Sequence, residues 1–471
     1  MTEVSTTHSL AEWLQLFLYA GAGIGFVFAL KWLTHPTTAR KGVLAGEIGM
    51  VAAVVGTLIT GEVHQWVWLI GAVLLGSAVG TWIGLWVPMT AMPQRIAFSH
   101  AFGALAAALV GTAEYLLGTT ELSAFVLTVL GVEMLLGYLT FTGSLMAFGK
   151  LQGWLPDRPW VYTGQNLVNF AMLLVGLGCV IGLVLDPANT QFLWPIIGIG
   201  LLYGVMFVLR IGGADMPTVI SLLNSFAGLS GAALGFAIDN PILIIAGALD
   251  GSSGFLLSLF MSRAMNRSFS NVLFGGFGQE KSTAGEGEHG PIRETSTDEV
   301  TMLLDTASLV IVVPGYGMAA AQAQHKVAEL TDMLSKGGTE VLFAIHPVAG
   351  RMPGHMNVLL AEADVPYDRM VELDDINGDF PRCDVALVIG ANDVVNPAAR
   401  HDKGSPIFGM PILDVDKAQN VVVIKRSMRS GFAGIENELF YAPRTAMLFG
   451  DAKEVAAELV HELGRIPGRS R

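Results

Sequence analysis

The sequence predicts a polytopic α-helical membrane bundle followed by a doubly wound α/β domain on a parallel sheet. Three observations carry that prediction. The 471 residues are 52% hydrophobic and only 14% charged, with a mean hydropathy of +0.54, whereas a soluble domain carries about 25% charge. The charge deficit lies at the front: residues 1–267 hold 9 Lys and Arg and 12 Asp and Glu, against 18 and 28 in the remainder. From about residue 301 short apolar runs alternate with helical segments, the pattern of parallel strands and their crossovers.

Crossing about 30 Å of hydrocarbon takes about 20 apolar residues in a helix. About nine transmembrane helices are expected, at roughly 10–31, 43–60, 66–87, 96–117, 122–148, 166–185, 191–209, 218–238 and 242–262. Gly71–Gly84 and Gly228–Gly235 are rich in small residues, which let helix backbones approach closely in lipid, so a packed bundle is expected. Lys31, Arg40 and Lys41 follow the first segment, Arg95 the third, Lys150 and Arg158 the fifth, Arg210 the seventh, and Arg263 and Arg267 the ninth. Gly61–Gln65, Gly118–Glu121, Asp186–Thr190 and Asp239–Pro241 contain no basic residue. The positive-inside rule then places the N-terminus outside and the C-terminal domain in the cytoplasm. No Lys or Arg precedes Lys31, so no secretory or transit peptide is expected and the first span should stay in the mature protein. The expected division is a membrane domain over 1–263, a linker over 264–300 and a nucleotide-binding domain over 301–471. Gly275–Gly290 is nearly devoid of apolar residues and cannot offset the entropy of ordering, so the linker is expected to be flexible.

In the last third, Leu309–Val313, Val341–Ile345, Val385–Ile389 and Val421–Ile424 read as buried parallel strands, and Met318–Ser335, Met356–Ala363 and Asp451–Leu463 as helices. Directly after the first strand comes Gly315-Tyr316-Gly317-Met318-Ala319-Ala320. Its glycines permit a tight turn and close approach to a pyrophosphate, and Ala320 permits close helix–strand packing. A βα turn with no ligand has the same letters; the strand before and helix after favour a dinucleotide. NAD sites place a carboxylate at the end of the second strand, but here that strand ends Ile345-His346-Pro347. Lys425-Arg426-Ser427 after the last apolar run offers two cations and a hydroxyl, which suit a 2′-phosphate and favour NADP, with a solvated basic surface as the alternative. Val348-Ala349-Gly350-Arg351-Met352-Pro353-Gly354 fits a pyrophosphate clamp. Gly390-Ala391-Asn392-Asp393 leaves a strand's carboxyl end, where such sheets bind ligands, although Asp393 also suits an ordinary turn.

A net charge of −13 argues against a nucleic-acid partner. Cys179 and Cys383 stand alone with no CxxC pair, so neither a metal site nor a disulfide framework is expected. Ionisable groups inside lipid are functional candidates; here they are His100, Glu47, Glu114, Glu133 and Asp250, with polar Asn166, Asn169, Ser221, Asn224 and Ser225. Glu47 and Glu114 lie near segment ends, where water reaches. His100 falls about 7–8 Å inward of Arg95, and a histidine relays protons near neutral pH. Taken alone it reads more readily as a hydrogen-bonded packing residue.

The motifs at Pro314–Met318, His346–His355, Gly390–Asp393 and Lys425–Met428 resemble the NADP(H)-binding domain of proton-translocating NAD(P) transhydrogenase. Gly212-Gly213-Ala214-Asp215-Met216-Pro217 and Gly251-Ser252-Ser253-Gly254 resemble its membrane domain, so nearly the whole chain is similar to the bacterial β subunit. The resemblance implies a Rossmann-like domain with NADP(H) lying across the sheet in reversed orientation beneath a closing loop. The implied contacts are Tyr316, Val348, Ala349, Gly350, Arg351, Met352, Pro353, Gly390, Ala391, Asn392, Asp393, Val394, Gly409, Met410, Lys425, Arg426, Ser427, Met428, Arg429, Ser430, Gly431, Phe432, Gly450, Asp451 and Ala452. Lys425, Arg426 and Ser427 would hold the 2′-phosphate, and Asp393 would stand near the nicotinamide. Phe432 departs from the tyrosine of related chains. In the membrane, His100 matches a histidine implicated in proton translocation, Asn224 its polar partner and Asp215 the coupling point. Also implied are Si/Re-specific hydride exchange between NADH and NADP⁺, an α subunit that binds NAD(H), an α2β2 assembly in lipid, and a bacterial cytoplasmic (inner) membrane. The rivals are a quinone-reducing dehydrogenase, for which two isolated cysteines supply no cluster, and an NADP-gated channel or transporter without hydride transfer.

Overall fold

A computed structural model describes residues 9–59, 65–118, 123–156, 159–266, 268–269, 291–431 and 433–466. Among these, nine helices are long and apolar enough to cross a membrane: α1 Leu10–Leu33, α2 Pro36–Ile59, α3 Trp66–Trp86, α4 Met92–Gly118, α5 Ala124–Leu151, α6 Gln165–Leu185, α7 Leu193–Leu209, α8 Met216–Ala237 and α9 Pro241–Ala264. Local chemistry sets several starts. Ser9 and Glu12 form a capping box on α1, Ser123 accepts from Val126 N on α5, and Asn240 accepts from Leu243 N on α9, whose first residue is proline. Such caps satisfy amides that have no partner within the helix.

The bundle packs through small residues, as close approach in lipid requires. On α8 and α9, a Cβ at Gly247 would stand 2.6 Å from Gly228 O, and one at Gly228 would fall on the Gly251 backbone. At the centre, α5 buries Leu130, Met134, Thr140 and Ala147 completely. The Gly71–Gly84 segment departs from expectation. No residue of α3 is buried, and a Cβ at Gly71, Gly76 or Gly80 would meet nothing within 4 Å. Small residues make close approach possible without saying whether this chain supplies the neighbour.

The second domain opens with α10 Thr297–Thr306 and continues as β1 Leu309–Pro314, α11 Tyr316–Ala320, α12 Gln324–Lys336, β2 Glu340–Ile345, α13 His355–Glu362, β3 Met370–Glu372, α14 Leu373–Ile376, β4 Val385–Ile389, α15 Ala398–His401, β5 Asn420–Lys425, β6 Thr445–Phe449 and α16 Ala452–Gly464. The six strands are parallel in the order β3-β2-β1-β4-β5-β6, with Ile311 level with Leu342 on one side and Ala386 on the other. Val310 and Val312 face the cluster formed by α10, α12, α13 and α16. Leu309, Ile311 and Val313 face the opposite cluster around Phe380 and Leu413. Burial on both faces explains the unbroken apolar runs. Strand order reverses between β1 and β4, which defines the ligand crevice of this fold class.

Three features differ from the sequence expectation. Strands β3 and β6 are additional; β3 has three residues, none of them fully buried, so it carries no apolar run. The helix expected over Met318–Ser335 is two helices, because Gln322 takes φ +51 and Ala323 N turns back to Met318 O at 3.0 Å. Of the expected linker, Ile292 packs on the sheet core and Glu294 bridges to Met447, while residues 270–290 lie outside the described residues, as do Arg158, Arg267 and Phe432.

The α8–α9 crossing makes a testable contrast. Gly247→Val is expected to cost about 1–3 kcal/mol or more through overpacking and to lower the yield of folded protein in detergent. Gly76→Val on α3 faces open space and should leave thermal unfolding of the isolated chain unchanged.

Candidate functional site

The site grows from two loops that cross at the strand reversal. Gly315 N donates to Ile389 O (2.9 Å) and Gly317 N to Gly390 O (2.9 Å). A Cβ at Gly317 would stand 2.6 Å from Gly390 Cα, one at Gly315 would fall on the Ala391 backbone, and Gly390 has φ +66. No side chain larger than hydrogen fits this crossing without displacing backbone. The neighbouring strand ends join in turn: Gly390 N donates to Ile424 O (3.2 Å) and Gly450 N to Lys425 O (3.1 Å).

Above these ends, the loop after β5 folds back toward the loop after β4. Asp393 Oδ2 accepts from Ala433 N at 3.0 Å, and Asn437 Nδ2 donates to Asn392 O at 2.9 Å. Lys425 Nζ donates to Arg429 O at 2.6 Å and lies over the Phe440 ring, 4.6 Å from its centre. Burial pushes the Lys425 ammonium below its usual value, with Asp393 opposing. Between the loops lies a cavity of about 720 Å³, within the ordinary size of small-ligand sites.

Most residues expected at a nucleotide line this cavity: Gly315, Tyr316, Gly317, Val348, Ala349, Gly350, Gly390, Ala391, Asn392, Asp393, Val394, Met410, Lys425, Arg426, Ser427, Arg429, Ser430, Gly431, Gly450 and Ala452. Met318, Ala319, Ala320, Arg351, Met352, Pro353, Gly409, Met428 and Asp451 are not among its lining. Met318 and Ala319 are buried in the core, and Asp451 caps α16 by accepting from Lys453 N. Arg351 differs most from a pyrophosphate clamp. Its guanidinium stacks over Tyr316 at 4.3 Å and donates through Nη1 to Leu151 O at 2.9 Å. Sequence reasoning missed Ala321, Pro406, Ile407, Ile424 and Ala433. Only Ile424, the last residue of an apolar strand, carried a readable signal.

One wall of the cavity comes from the membrane half. Asp215, before α8, and Met265, after α9, line it. Asn266 Nδ2 donates to Phe408 O (2.7 Å), Gln322 Nε2 to Thr90 Oγ1 (3.4 Å), and Met89 packs on the sheet-domain core. The sheet domain therefore sits at the end of the bundle that holds Lys150 and Arg210. Lys150 Nζ donates to Leu209 O (3.0 Å) and Ile211 O (2.6 Å), and Arg210 Nη1 to Asn166 Oδ1 (3.1 Å), the favourable placement of cations at helix C-termini. Deeper in the bundle, Asn224 Nδ2 donates to Asp250 Oδ1 at 3.1 Å. His100 Nδ1 is buried with no hydrogen-bond partner, and no hydrogen bond joins His100 to Asn224 among the described residues.

The cavity tests well against a dinucleotide. Its glycines keep Cβ atoms out of the cradle, and Lys425, Arg426 and Arg429 supply cations beside Ser427 and Ser430 hydroxyls. Cys383 is buried just before β4, at the end of the strand opposite the cleft, where burial pushes its thiol up to about 12, so it is inert. No cluster of three or more metal-ligating side chains occurs among the described residues.

Fold and site thus define a membrane protein with nine candidate spans among the described residues and a Rossmann-like sheet domain at one end of its bundle, whose cleft has the chemistry to take a dinucleotide. Residues 15–462 match the family profile of the NAD(P) transhydrogenase beta subunit. The NAD(P) transhydrogenase subunit beta of Rhodospirillum rubrum is 47% identical over 467 residues, 97% of this chain and 100% of that one; the protein of that name from strain ATCC 11170 of the species gives the same figures. The chain belongs to the NAD(P) transhydrogenase beta-subunit family, and its function is that of a transhydrogenase beta subunit.

Two buried histidines under the cleft set an acid limit on stability. His346 Nε2 meets Pro411 O at 2.8 Å, and burial pushes its imidazole down to about 4 from 6.5, with that carbonyl opposing. Burial likewise pushes His355 down to about 4, with Arg351 adding and the Thr90 backbone opposing. The unfolded chain binds these protons first, so the contribution is complete above about 6.5 and is lost as pH falls toward 4. It amounts to on the order of 3 kcal/mol per histidine. Thermal melts should show a falling transition below pH 6.5, and His346→Gln should make that acid limb shallower.

Proposed function

We propose that this chain is the NADP(H)-binding, proton-conducting half of a proton-translocating, Si/Re-specific NAD(P) transhydrogenase. The observation that carries the reading is the shared wall: Asp215 of the membrane half and Met265, the first linker residue after α9, complete a cleft otherwise built by the sheet domain. Residues 1–263 form the translocating domain, 264–300 the linker and 301–471 the nucleotide domain. NADP(H), when bound, supplies or accepts a hydride at its nicotinamide.

The residues divide the work. Lys425, Arg426 and Ser427 hold the 2′-phosphate; charge-assisted bonds of this kind are the strong ones. The Gly315–Gly317 turn and Gly390 bring backbone amides up to the pyrophosphate. Asp393 anchors the covering loop through Ala433 N and stands at the nicotinamide end. Arg351 ties the Val348–Pro353 segment to the membrane half through Leu151 O. Asp215 reports the state of the membrane path to the cleft. His100 and the Asn224–Asp250 pair carry the proton. If protonation of that path alters NADP(H) affinity, nucleotide occupancy must alter proton affinity by the same factor.

The described residues hold one nucleotide-binding type of fold, which supports an α subunit that supplies NAD(H) in an α2β2 assembly. All nine basic residues of 1–267 fall in or beside the same set of helix ends, which supports an outside N-terminus and a cytoplasmic sheet domain in a bacterial cytoplasmic membrane. Vesicles holding this chain with an NAD(H)-binding α subunit should reduce NADP⁺ at the expense of NADH and move protons with each turnover. Nucleotide-gated proton flow without hydride transfer would contradict the reading and favour the gated channel.

Arg426→Ala should weaken NADP(H) binding by about 10- to 100-fold, the loss of a charged hydrogen bond worth about 1.5–3 kcal/mol, without creating NAD(H) affinity. Titration of intrinsic fluorescence or calorimetry checks this. An unchanged NADP(H) dissociation constant would move the 2′-phosphate elsewhere.

A further inference from the structure

Glu133 on α5 has no role in the path above, yet it has zero exposure nine residues in from Ala124, about 13 Å along the helix. Its Oε1 accepts from Ser230 Oγ on α8 at 3.0 Å. Its Oε2 is buried with no hydrogen-bond partner and occupies the space that a Cβ at Gly111 of α4 would need. A carboxyl enclosed by three helices with one bare oxygen stabilises a bundle less than an apolar side chain of the same volume would. What it offers in return is a place to hold a proton.

Its position supplies the rest. On α5, Glu133, Gly137, Thr140 and Ser144 fall on one face, as residues three and four apart do. A Cβ at Gly137 would meet Ala108 Cβ at 2.8 Å, Ala104 O at 3.1 Å and Ser230 Oγ at 3.1 Å, so this face packs against α4 and α8. Along α4 the buried stripe runs Gly111, Ala108, Ala104, Ala101, and His100 stands beside its end, about 16 Å from Gly111 toward the sheet-domain end. Ser144 Oγ and His100 Nδ1 are, like Glu133 Oε2, buried without partners. Bare polar atoms strung along one seam are what bridging water satisfies.

We infer that Glu133 is the proton-holding residue on the side of the membrane away from the sheet domain, feeding His100 along the α4–α5–α8 seam. The inference rests on the proton-translocating reading above. A proton from water forms an O–H bond at Oε2. That bond breaks as the proton passes through seam water to the Nδ1 lone pair of His100, which leaves the carboxylate as it began; no electrons move.

The test uses the reconstituted assembly with its α subunit. Glu133→Gln keeps the shape and the bond to Ser230 but carries no proton. Proton movement coupled to turnover should fall by on the order of 100-fold, the size of a positioned proton-transfer group, and Glu133→Asp should restore part of it. Infrared difference spectra should show a deuterium-sensitive carboxyl band in the wild type that is missing in E133Q. Should E133Q fail to assemble, Ser230→Ala is expected to shift that band. Wild-type proton movement matched by E133Q, or a band indifferent to both substitutions, overturns the inference alone. Wild-type vesicles that move no protons overturn the translocation reading and this one with it.

Discussion

Main-chain oxygens of each half accept hydrogen bonds from side chains of the other where the sheet domain meets the bundle. Arg351 reaches Leu151 O, Asn266 reaches Phe408 O, and Met89 packs against the sheet-domain core. The nucleotide cleft depends on this seat, because without Asp215 and Met265 it is open on one side. Bonds to backbone carbonyls fix position without adding net charge, and each contributes only about 1 kcal/mol. A seat held by a few such bonds can be made and broken within a catalytic cycle, which a large apolar interface would resist.

The bundle has the form of a lever. Met89–Ala91, which touches the sheet domain, is followed at once by α4, and His100 lies in the third turn of that helix. At the next contact, Asp215 is the N-cap of α8, which carries Asn224 nine residues on. Both helices pack closely on α5 through small residues, and close-packed interiors shift between discrete arrangements more readily than they deform. If His100 and Asn224 carry the proton, as proposed, a change at either has a short, stiff route to the cleft.

Much of this was legible in the sequence, for identifiable reasons. The nine spans were readable because lipid imposes length and apolarity directly. Four of six strands were readable because they are runs of branched and aromatic apolar residues, whereas β6, Thr445–Phe449, is buried as well but has no Val or Ile. Strand β3, with three partly exposed residues, left no apolar signature, and the break at Gln322 is hidden inside a run of good helix formers. At the site, Gly315, Gly317, Gly390 and Lys425 announced themselves by residue type and position after a strand. Arg351 did not: a guanidinium beside a Gly-rich loop reads as a phosphate ligand, and only the folded chain shows Leu151 O within its reach. Pro406 and Ile407 come to the cleft through tertiary packing that no local pattern encodes. Glu133 was visible as a charge in lipid, while its enclosure by Gly111 and Ser230 was not.

The central claim is that the nucleotide cleft and the membrane path share one free-energy balance. The dissociation constant of NADP(H), measured on this chain in sealed vesicles with and without an imposed proton gradient, tests it most directly. The account predicts a gradient-dependent shift of about 5- to 150-fold, the usual range of coupling between linked sites, and its abolition by Asp215→Asn. A dissociation constant indifferent to the gradient in the wild-type chain would contradict it.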